Sequence, residues 1–486
     1  MTKLTVPGPQ PLPLIGRNIL VSKFVKDSLG FTSQLFQEYG NLVSLARGGG
    51  TNLYSPLPNC PGTIFTYGAN NVQKVATNHE IYHKYPLTGG LYRRKDESNR
   101  TEPLKHFGVG LFGVNNNEHR RQRQLLMPAF HQKRIESYCN TFREITDAIA
   151  NELEVNKVTN IAKLMRLLTL RIASKILFGV DIGEKGSKSA ALLQKIGILL
   201  GNPTTMILPF DLPGFPFRRM MTLMAELDED MREIIRSRKA LDSDTRDVLS
   251  MLIKARDAET GMTLSEDELL GHVSVIFAAG HETSANALTW TLFLLSQHPE
   301  IAADLLDELD TVLKGEAPTV EQLQQLPLLE RIIKESMRIL TPVPWNARAT
   351  SQPTVLEGYE LPTGTEVWVS IFHTHRNPDI YPEPLKFNPQ RWETLEVDNF
   401  EYNPFSAGSR KCIGAGFAMM EIKVVLAMLL QKFRFQCLPQ QKITYKALIV
   451  LAPKGGLPML ISQQDRDFCK GVGEIRGNIQ ELVKLQ

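Results

Sequence analysis

One cysteine lies in a sequence setting that suits metal chemistry. Residues 405–416 read FSAGSRKCIGAG, and the glycines on both sides of Cys412 suit a tight loop whose backbone approaches something flat. An apolar stretch with helical spacing follows at 417–430, so the thiol precedes a helix N-terminus, which favours the thiolate. Arg410 adds a cationic fork for a carboxylate. A lone cysteine is more often a buried structural residue, but this surrounding pattern favours a thiolate ligand for iron.

A second constellation lies inside a long apolar stretch, 264–297, which predicts one buried helix with its N-terminus at Ser265. Gly280 costs roughly 1 kcal/mol of helix propensity relative to alanine, which is reasonable if something large lies against the backbone there. Glu282 is an acid in this buried stretch, and Thr283 can bond back to the preceding turn and open the helix locally. An acid and an alcohol could deliver protons. The alternative is a small-residue helix crossing with a paired glutamate.

Both segments resemble those of the cytochrome P450 family. The family's haem-binding loop has the pattern Phe-x-x-Gly-x-Arg-x-Cys-x-Gly, which is filled here by Phe405, Gly408, Arg410, Cys412 and Gly414. The AAGHETS segment at 278–284 resembles the family's oxygen-binding groove. The resemblance implies haem b (iron protoporphyrin IX) with its iron bound by the Cys412 thiolate, O₂ as co-substrate beside Gly280, and proton delivery by Glu282 and Thr283.

Further arginines and a histidine match the family in the order expected. Residues 118–123, EHRRQR, have the charge of a solvated face, but they resemble a helix in which a tryptophan and, four residues later, an arginine bind a haem propionate. His119 replaces the usual tryptophan, and Arg123 matches the arginine. Arg348, within 342–348, matches a further propionate arginine.

A separate pair matches a structural signature of the family. Glu335 and Arg338 lie three residues apart on one predicted helix and so share a face. Such a pair is usually a surface ion pair that contributes little to stability. They resemble the family's Glu-x-x-Arg signature. The segment FNPQRW, 387–392, resembles the region that supplies a partner, Arg391, although glutamine replaces the usual glutamate. The resemblance implies that the three residues form a structural network behind the haem.

The organisation of the chain agrees with a single large helical unit. The 486 residues contain no internal repeat and no flexible linker. Helical patterns dominate from about residue 118 to 340, and short strand-like segments occur near 41–46, 341–387 and 442–460. We therefore predict a mainly α fold with minor β regions, the cytochrome P450 fold, as one domain over 1–486. Residues 1–16 form a proline-rich lead, in which the segment 6–13 cannot be helical. The tail, 465–486, has a possible short helix at 473–485 and no predicted role.

Composition excludes several other classes of protein. A formal net charge of +3 gives no indication of nucleic-acid binding, and no apolar run approaches the ~18 residues of a membrane span. The five cysteines are scattered and predict no disulfide framework, which fits a reducing compartment. The expectation is a soluble, cytoplasmic monomer without a transmembrane anchor.

The implied function is a monooxygenase. By resemblance, one oxygen atom from O₂ enters a C–H bond or double bond of an apolar small molecule such as a fatty acid, alkane or terpene. Candidate pocket segments are 104–112, 198–217, 275–283, 342–346 and 449–452. Two alternatives stay open: a haem-thiolate peroxygenase or isomerase, which the acid–alcohol pair disfavours, and a non-catalytic haem or lipid carrier.

The electrons are expected to come from a separate protein. The chain ends at Gln486, too soon after Cys412 for a fused flavin reductase domain. A ferredoxin or flavodoxin with its reductase is therefore the expected partner. The residues hypothesised to form its docking face are Arg120, Arg121, Arg410 and Lys411.

Overall fold

The structure, a computed structural model, describes residues 4–57, 59–86, 103, 106, 109–179, 181, 188–200, 204–205, 210–240, 247–257, 259–473 and 475–485. Its helices are α1 (Gly16–Lys26), α2 (Ser28–Tyr39), α3 (Ala69–Thr77), α4 (Asn116–Leu126), α5 (Gln132–Glu152), α6 (Ile161–Phe178), α7 (Lys188–Leu200), α8 (Pro216–Ala240), α9 (Val248–Lys254), α10 (Glu266–Ser296), α11 (Pro299–Leu313), α12 (Val320–Leu323), α13 (Pro327–Ile339), α14 (Ile371–Thr374) and α15 (Ala415–Lys432). Most described residues are helical, as predicted.

The strands are short and form small sheets. They are β1 (Leu42–Ser44), β2 (Thr63–Thr66), β3 (Tyr82–His83), β4 (Lys157–Asn160), β5 (Trp345–Thr350), β6 (Thr354–Leu356), β7 (Tyr359–Leu361), β8 (Glu366–Ser370), β9 (Phe433–Cys437), β10 (Tyr445–Lys446), β11 (Ala452–Pro453) and β12 (Pro458–Gln463). The largest sheet has the order β1-β2-β8-β5-β3, in which only β2 and β8 run parallel. A second sheet has the order β4-β12-β9, and β6-β7 and β10-β11 are two-stranded.

Helix α10 is the central element. Ser265 begins it with a capping box, because its hydroxyl accepts from the Glu268 N–H while the Glu268 carboxylate accepts from the Ser265 N–H. The helix is 31 residues long and is buried on nearly all sides, with Trp290 and Phe293 fully enclosed. It packs against α6, α13 and α15. The structure therefore confirms the buried helix predicted at 264–297.

The start of the chain packs against the strands of the largest sheet, and the tail packs against the main core. Residues 4–15 contain no helix, as the proline-rich lead predicts, and Leu4 and Val6 are buried. The predicted tail helix at 473–485 is wrong, because only a 3-10 turn forms at Asn478–Glu481. The tail instead adds apolar side chains to the main core, among them Ile479 and Val483, and its Arg476 N–H donates to the Gln441 carbonyl.

Two further expectations concern absences. None of the five cysteines forms a disulfide. No helix in the described ranges is both long and apolar enough to cross a bilayer.

Candidate active site

An internal cavity of about 260 Å³ lies between α10 and the loop that carries Cys412. Most of the wall is apolar. Of the five segments predicted for the pocket, described residues of 104–112, 275–283 and 342–346 line it, whereas those of 198–217 and 449–452 do not.

The loop before α15 presents the Cys412 sulfur to this cavity. The Cys412 N–H donates to the Phe405 carbonyl at 2.8 Å, which closes the loop into a tight turn. Gly408 has φ +65°, and a Cβ there would lie 2.3 Å from the Ala76 carbonyl oxygen, so the loop packs on α3 only with glycine. Ala415 begins α15, and Cys412 therefore precedes a helix, as predicted.

The expected lowering of the thiol pKa is not found. Burial raises the pKa of Cys412 above its ordinary value, although the Gly414 N–H and the charges of Arg123 and Lys84 act in the opposite direction. The side chain is accessible from the cavity while it lies deep in the protein. A metal ion bound to the sulfur would displace the thiol proton.

The opposite wall of the cavity is α10. A Cβ built on Gly280 would meet no atom within 4 Å, so the missing side chain leaves open space in the cavity wall. The Thr283 hydroxyl borders the same space and donates to the Ala279 carbonyl at 2.8 Å, as predicted. The predicted local opening of the helix is wrong, because α10 runs without interruption from Glu266 to Ser296.

Glu282 does not border the cavity. Its carboxylate lies 3.8 Å from the guanidinium of Arg166 on α6, and 36% of its side chain is exposed. The expectation of a buried acid is therefore wrong. The helical repeat explains this, because Thr283 follows Glu282 by about 100° of rotation and takes the position that faces the cavity.

Positive charge collects at one end of the cavity. Lys84, Arg123 and Arg410 line it, and Arg348 lies behind them on β5, almost fully buried; these four residues are the cation cluster. Burial lowers the pKa of all four, that of Lys84 to about 7 and that of Arg410 to about 9, and the charge of Arg348 lowers both of these further. Within the described residues, no carboxylate forms an ion pair with any member of the cluster.

Neighbouring polar groups fix the geometry of this cluster. Asn115 exchanges hydrogen bonds with the backbone of Lys84, at 2.8 and 2.9 Å, and its side-chain oxygen also accepts from Arg410. Arg410 donates in addition to the carbonyls of Leu111 and Val114. His119 is buried beside the cluster, and burial lowers its pKa to about 3, so its ring is a neutral donor and acceptor.

The residues present fit a haem. Like charges that are partly withdrawn from water and lack counter-charges are costly, and a ligand with two carboxylates would neutralise them. Haem carries two propionates. The Cys412 sulfur faces the same cavity as the cation cluster, and the open space at Gly280 lies on the α10 wall. These residues would hold the iron through the sulfur and the propionates through the cations.

Glu335 stands at the centre of a buried hydrogen-bond network. Its carboxylate accepts five hydrogen bonds of 2.8–3.1 Å, two from the Arg338 guanidinium and one each from the Arg391 and Trp392 side chains and the Asn388 N–H. The side chains of Glu335 and Arg338 are fully buried. The default view of a surface ion pair is therefore wrong, and the three residues predicted to form a network do meet.

The structure thus separates the predicted site residues into groups. Those on the cavity wall are His119, Arg123, Gly280, Thr283, Phe405, Arg410, Cys412 and Gly414. Those that do not border the cavity are Glu282, Arg348, Gly408, Glu335, Arg338 and Arg391. Sequence reasoning missed Lys84, Asn115 and Arg166, which stand in no motif and acquire their positions only through tertiary packing.

Two of the four residues hypothesised to dock an electron donor are not available for it. Arg410 points inwards, and Arg121 pairs with Glu118 and with Glu268 of α10. Arg120 and Lys411 are exposed.

Comparison with known proteins agrees with this geometry. A family model described as Cytochrome P450 matches residues 6–458. The cyclooctat-9-en-7-ol 5-monooxygenase of Streptomyces melanosporofaciens is 31% identical over 374 residues, which cover 76% of this chain and 79% of that protein. The pentalenene oxygenase of Streptomyces avermitilis is 31% identical over 457 residues, which cover 91% of this chain and 94% of that protein.

A solved structure shares the fold. The retinoic acid-bound cyanobacterial CYP120A1 superposes with a TM-score of 0.80 at 25% identity, covering 95% of this chain and 100% of that one. Because the family model spans nearly the whole chain, from the lead to the last sheet, the protein belongs to the cytochrome P450 family and is a haem-thiolate monooxygenase that uses O₂.

Proposed function

We propose that Cys412 is the thiolate ligand of the haem iron and that the cation cluster, with His119, binds the haem propionates. One observation carries this assignment: a single cavity has the Cys412 thiol on one wall and partly buried cations at one end, and no carboxylate of the described residues pairs with these cations. When bound, haem supplies the activation of O₂ and the transfer of one oxygen atom to the substrate. The chain supplies the ligand, the orientation of the haem and the protons.

The test is the absorption spectrum of the reduced, carbon monoxide-treated protein. We expect a strongly red-shifted Soret band in the wild type, and a band typical of histidine-ligated haem, or no haem, in Cys412→His. Cys139→Ala is the matched control, because Cys139 is buried in α5 away from the cavity and its loss should leave the shift unchanged. A wild-type band without the red shift, or the same shift in Cys412→His, would contradict the assignment.

Proton delivery is assigned to Thr283 and Glu282. Thr283 borders the cavity and its hydroxyl can exchange the Ala279 carbonyl for a group in the cavity. Glu282 is partly exposed and is held by Arg166 at a distance of 3.8 Å, which is longer than a hydrogen bond. Glu282 can therefore take a proton from solvent, and we propose that it passes the proton to Thr283 after a rotation of its side chain away from Arg166.

The proposed substrate is a terpene or terpenoid. Supporting this class, the cavity wall on α6 and α9 consists of apolar side chains, such as Ile176, Leu177 and Val248. The two relatives described above are named for oxidising cyclooctat-9-en-7-ol and pentalenene, both terpene substrates. A rigid hydrocarbon skeleton gains free energy from burial at roughly 25 cal/mol per Å² of apolar surface, without needing a specific polar partner.

We further propose that a separate ferredoxin or flavodoxin, with its reductase, supplies the electrons to a monomeric, cytoplasmic protein. The five free cysteines support a reducing compartment. The proposed docking surface is the exposed face beside the Cys412 loop, which includes Arg120, Lys133 and Lys411. An acidic electron carrier would be attracted there by complementary charge.

A further inference from the structure

We infer that His272 binds an uncharged oxygen function of the substrate, so that the molecule oxidised here is an apolar skeleton that already carries a hydroxyl or carbonyl group. This inference rests on the proposed function and makes its substrate class narrower. His272 lies on α10, two turns before the groove at Gly280, and it belongs to none of the motifs discussed above.

The surroundings of His272 are apolar. The cavity wall at this end is formed by α6, α9 and the first half of α10, and its described side chains are alanine, valine, leucine and isoleucine apart from His272. Leu111 and Phe112 continue the wall beside it. The imidazole is therefore the polar group at an otherwise hydrocarbon-like end of the pocket, where an aliphatic residue would bury at a lower cost.

The ring has no partner among the described residues. The residue is fully buried, and neither ring nitrogen forms a hydrogen bond with any of them. Glu268, one turn earlier on α10, does not serve it, because that carboxylate is occupied by Arg121 and by the Ser265 N–H. Buried polar groups are almost always paired, so an imidazole with two unpaired nitrogens on a cavity wall indicates a partner that enters the cavity.

Backbone packing fixes the position of this side chain. A Cβ on Gly271 would lie 2.6 Å from the His106 carbonyl oxygen and 2.8 Å from the Gly110 nitrogen, and a Cβ on Gly110 would collide with Gly271 in return. The two glycines let His106 and Gly110 lie directly on α10. His272 is therefore held at one place on the cavity wall, which suits recognition of one group of a ligand.

The charge state selects the kind of ligand. Burial lowers the pKa of His272 to about 4, so the ring is neutral at physiological pH and has one donor and one acceptor nitrogen. A neutral imidazole pairs well with a hydroxyl or carbonyl, and it offers no counter-charge to a carboxylate. The rise of the helix places His272 ~12 Å along α10 from Gly280, so the group that it binds lies apart from the groove.

The experiment compares matched ligands of the haem-loaded protein. The probes are three pairs that share a skeleton with and without a hydroxyl group: farnesol and farnesene, geraniol and myrcene, and dodecanol and dodecane. Binding is measured from the change of the haem absorption spectrum on titration. We expect at least one alcohol to bind about tenfold more tightly than its hydrocarbon, the effect of one hydrogen bond made in a buried site.

Variants assign the preference to the residue. We expect His272→Leu to abolish the preference for the alcohol and His272→Gln to restore part of it. The control is Ile276→Val, one turn further along the same wall, which should change both affinities and leave their ratio unchanged. Equal affinities within every pair in the wild type, failure of all three alcohols to bind, or an unchanged ratio in His272→Leu would each overturn the inference. Failure of the proposed function itself is distinguishable, because it would appear first as the loss of the red-shifted Soret band in the wild type.

Discussion

The Glu335 network offers a prediction whose magnitude follows from the structure. Glu335→Gln preserves shape but removes the charge between the buried guanidiniums of Arg338 and Arg391. One amide oxygen can keep the three bonds now made to Oε1, from Arg338, Arg391 and the Asn388 N–H. The amide NH₂ would face the donors of Arg338 and Trp392, so two hydrogen bonds are lost.

We expect this substitution to lower the free energy of unfolding by about 3–5 kcal/mol. Two hydrogen bonds to a charged group account for roughly 1.5–3 kcal/mol each, and removing one partner of a buried ion pair has a similar total cost. The assay is urea unfolding of the haem-loaded protein followed by far-ultraviolet circular dichroism, in which the midpoint shift at a constant slope gives the change.

Glu330→Gln is the matched control. Glu330 lies on the same helix, α13, and pairs with Lys334 and Lys423 at 2.9 and 2.8 Å, but 39% of its side chain is exposed. Exposed pairs contribute little, so we expect a loss below about 1 kcal/mol. If the two variants lose the same stability, burial does not determine the value of these ion pairs, and the reasoning given for the Glu335 network is refuted.

Two further predictions concern α10 and the helix packed against it. Thr283→Ala should uncouple electron uptake from oxygenation, which is measured as a rise in the hydrogen peroxide released per electron consumed. The control is Thr289→Ala, which removes the same kind of hydrogen bond to the fourth preceding carbonyl at a position away from the cavity and should leave this ratio unchanged. Equal ratios in the two variants would contradict the role of Thr283. Glu421 on α15 is fully buried beside Ser284, and burial raises the pKa of its carboxyl group to about 8 although Ser284 acts in the opposite direction. The folded protein then keeps this proton up to about pH 8 while the unfolded chain loses it near its ordinary pKa of 4.5, so stability falls as the pH rises between these values. Glu421→Gln should remove this pH-dependent loss of stability. Its free energy of unfolding, measured with urea, should therefore rise by about 2–4 kcal/mol relative to that of the wild type between pH 5 and pH 8. If the two free energies differ by the same amount across that range, Glu421 does not titrate in this way.

Sequence reasoning succeeded where a local rule is strong. The predicted helix at 264–297 differs from α10 by two residues at the start and one at the end, because the capping box of Ser265 and Glu268 specifies where it begins. The Cys412 loop was predicted together with the helix that follows, because its glycines and the apolar period of α15 are both local signals.

It failed where a position depends on distant segments. Lys84 belongs to the cation cluster only because β3 pairs with β5, which carries Arg348, and no pattern around residue 84 indicates this. The exposure of Glu282 depends on which face of α10 meets α6, a matter of packing. The tail has the apolar spacing of a helix, but its segment instead pairs with backbone groups at Gln441, Ile443 and Leu385.

The parallel pairing of β2 with β8 has a consequence for biosynthesis. Thr63 is aligned with Glu366, so the pair of strands β1 and β2 gains its neighbour β8 only when most of the chain has been made. At about 5–20 residues per second this delay is roughly 15–60 s. Cys412 emerges later still, and haem can be bound through its thiolate only after that. Completion of the largest sheet and binding of haem through Cys412 are therefore both late events in the synthesis of the chain.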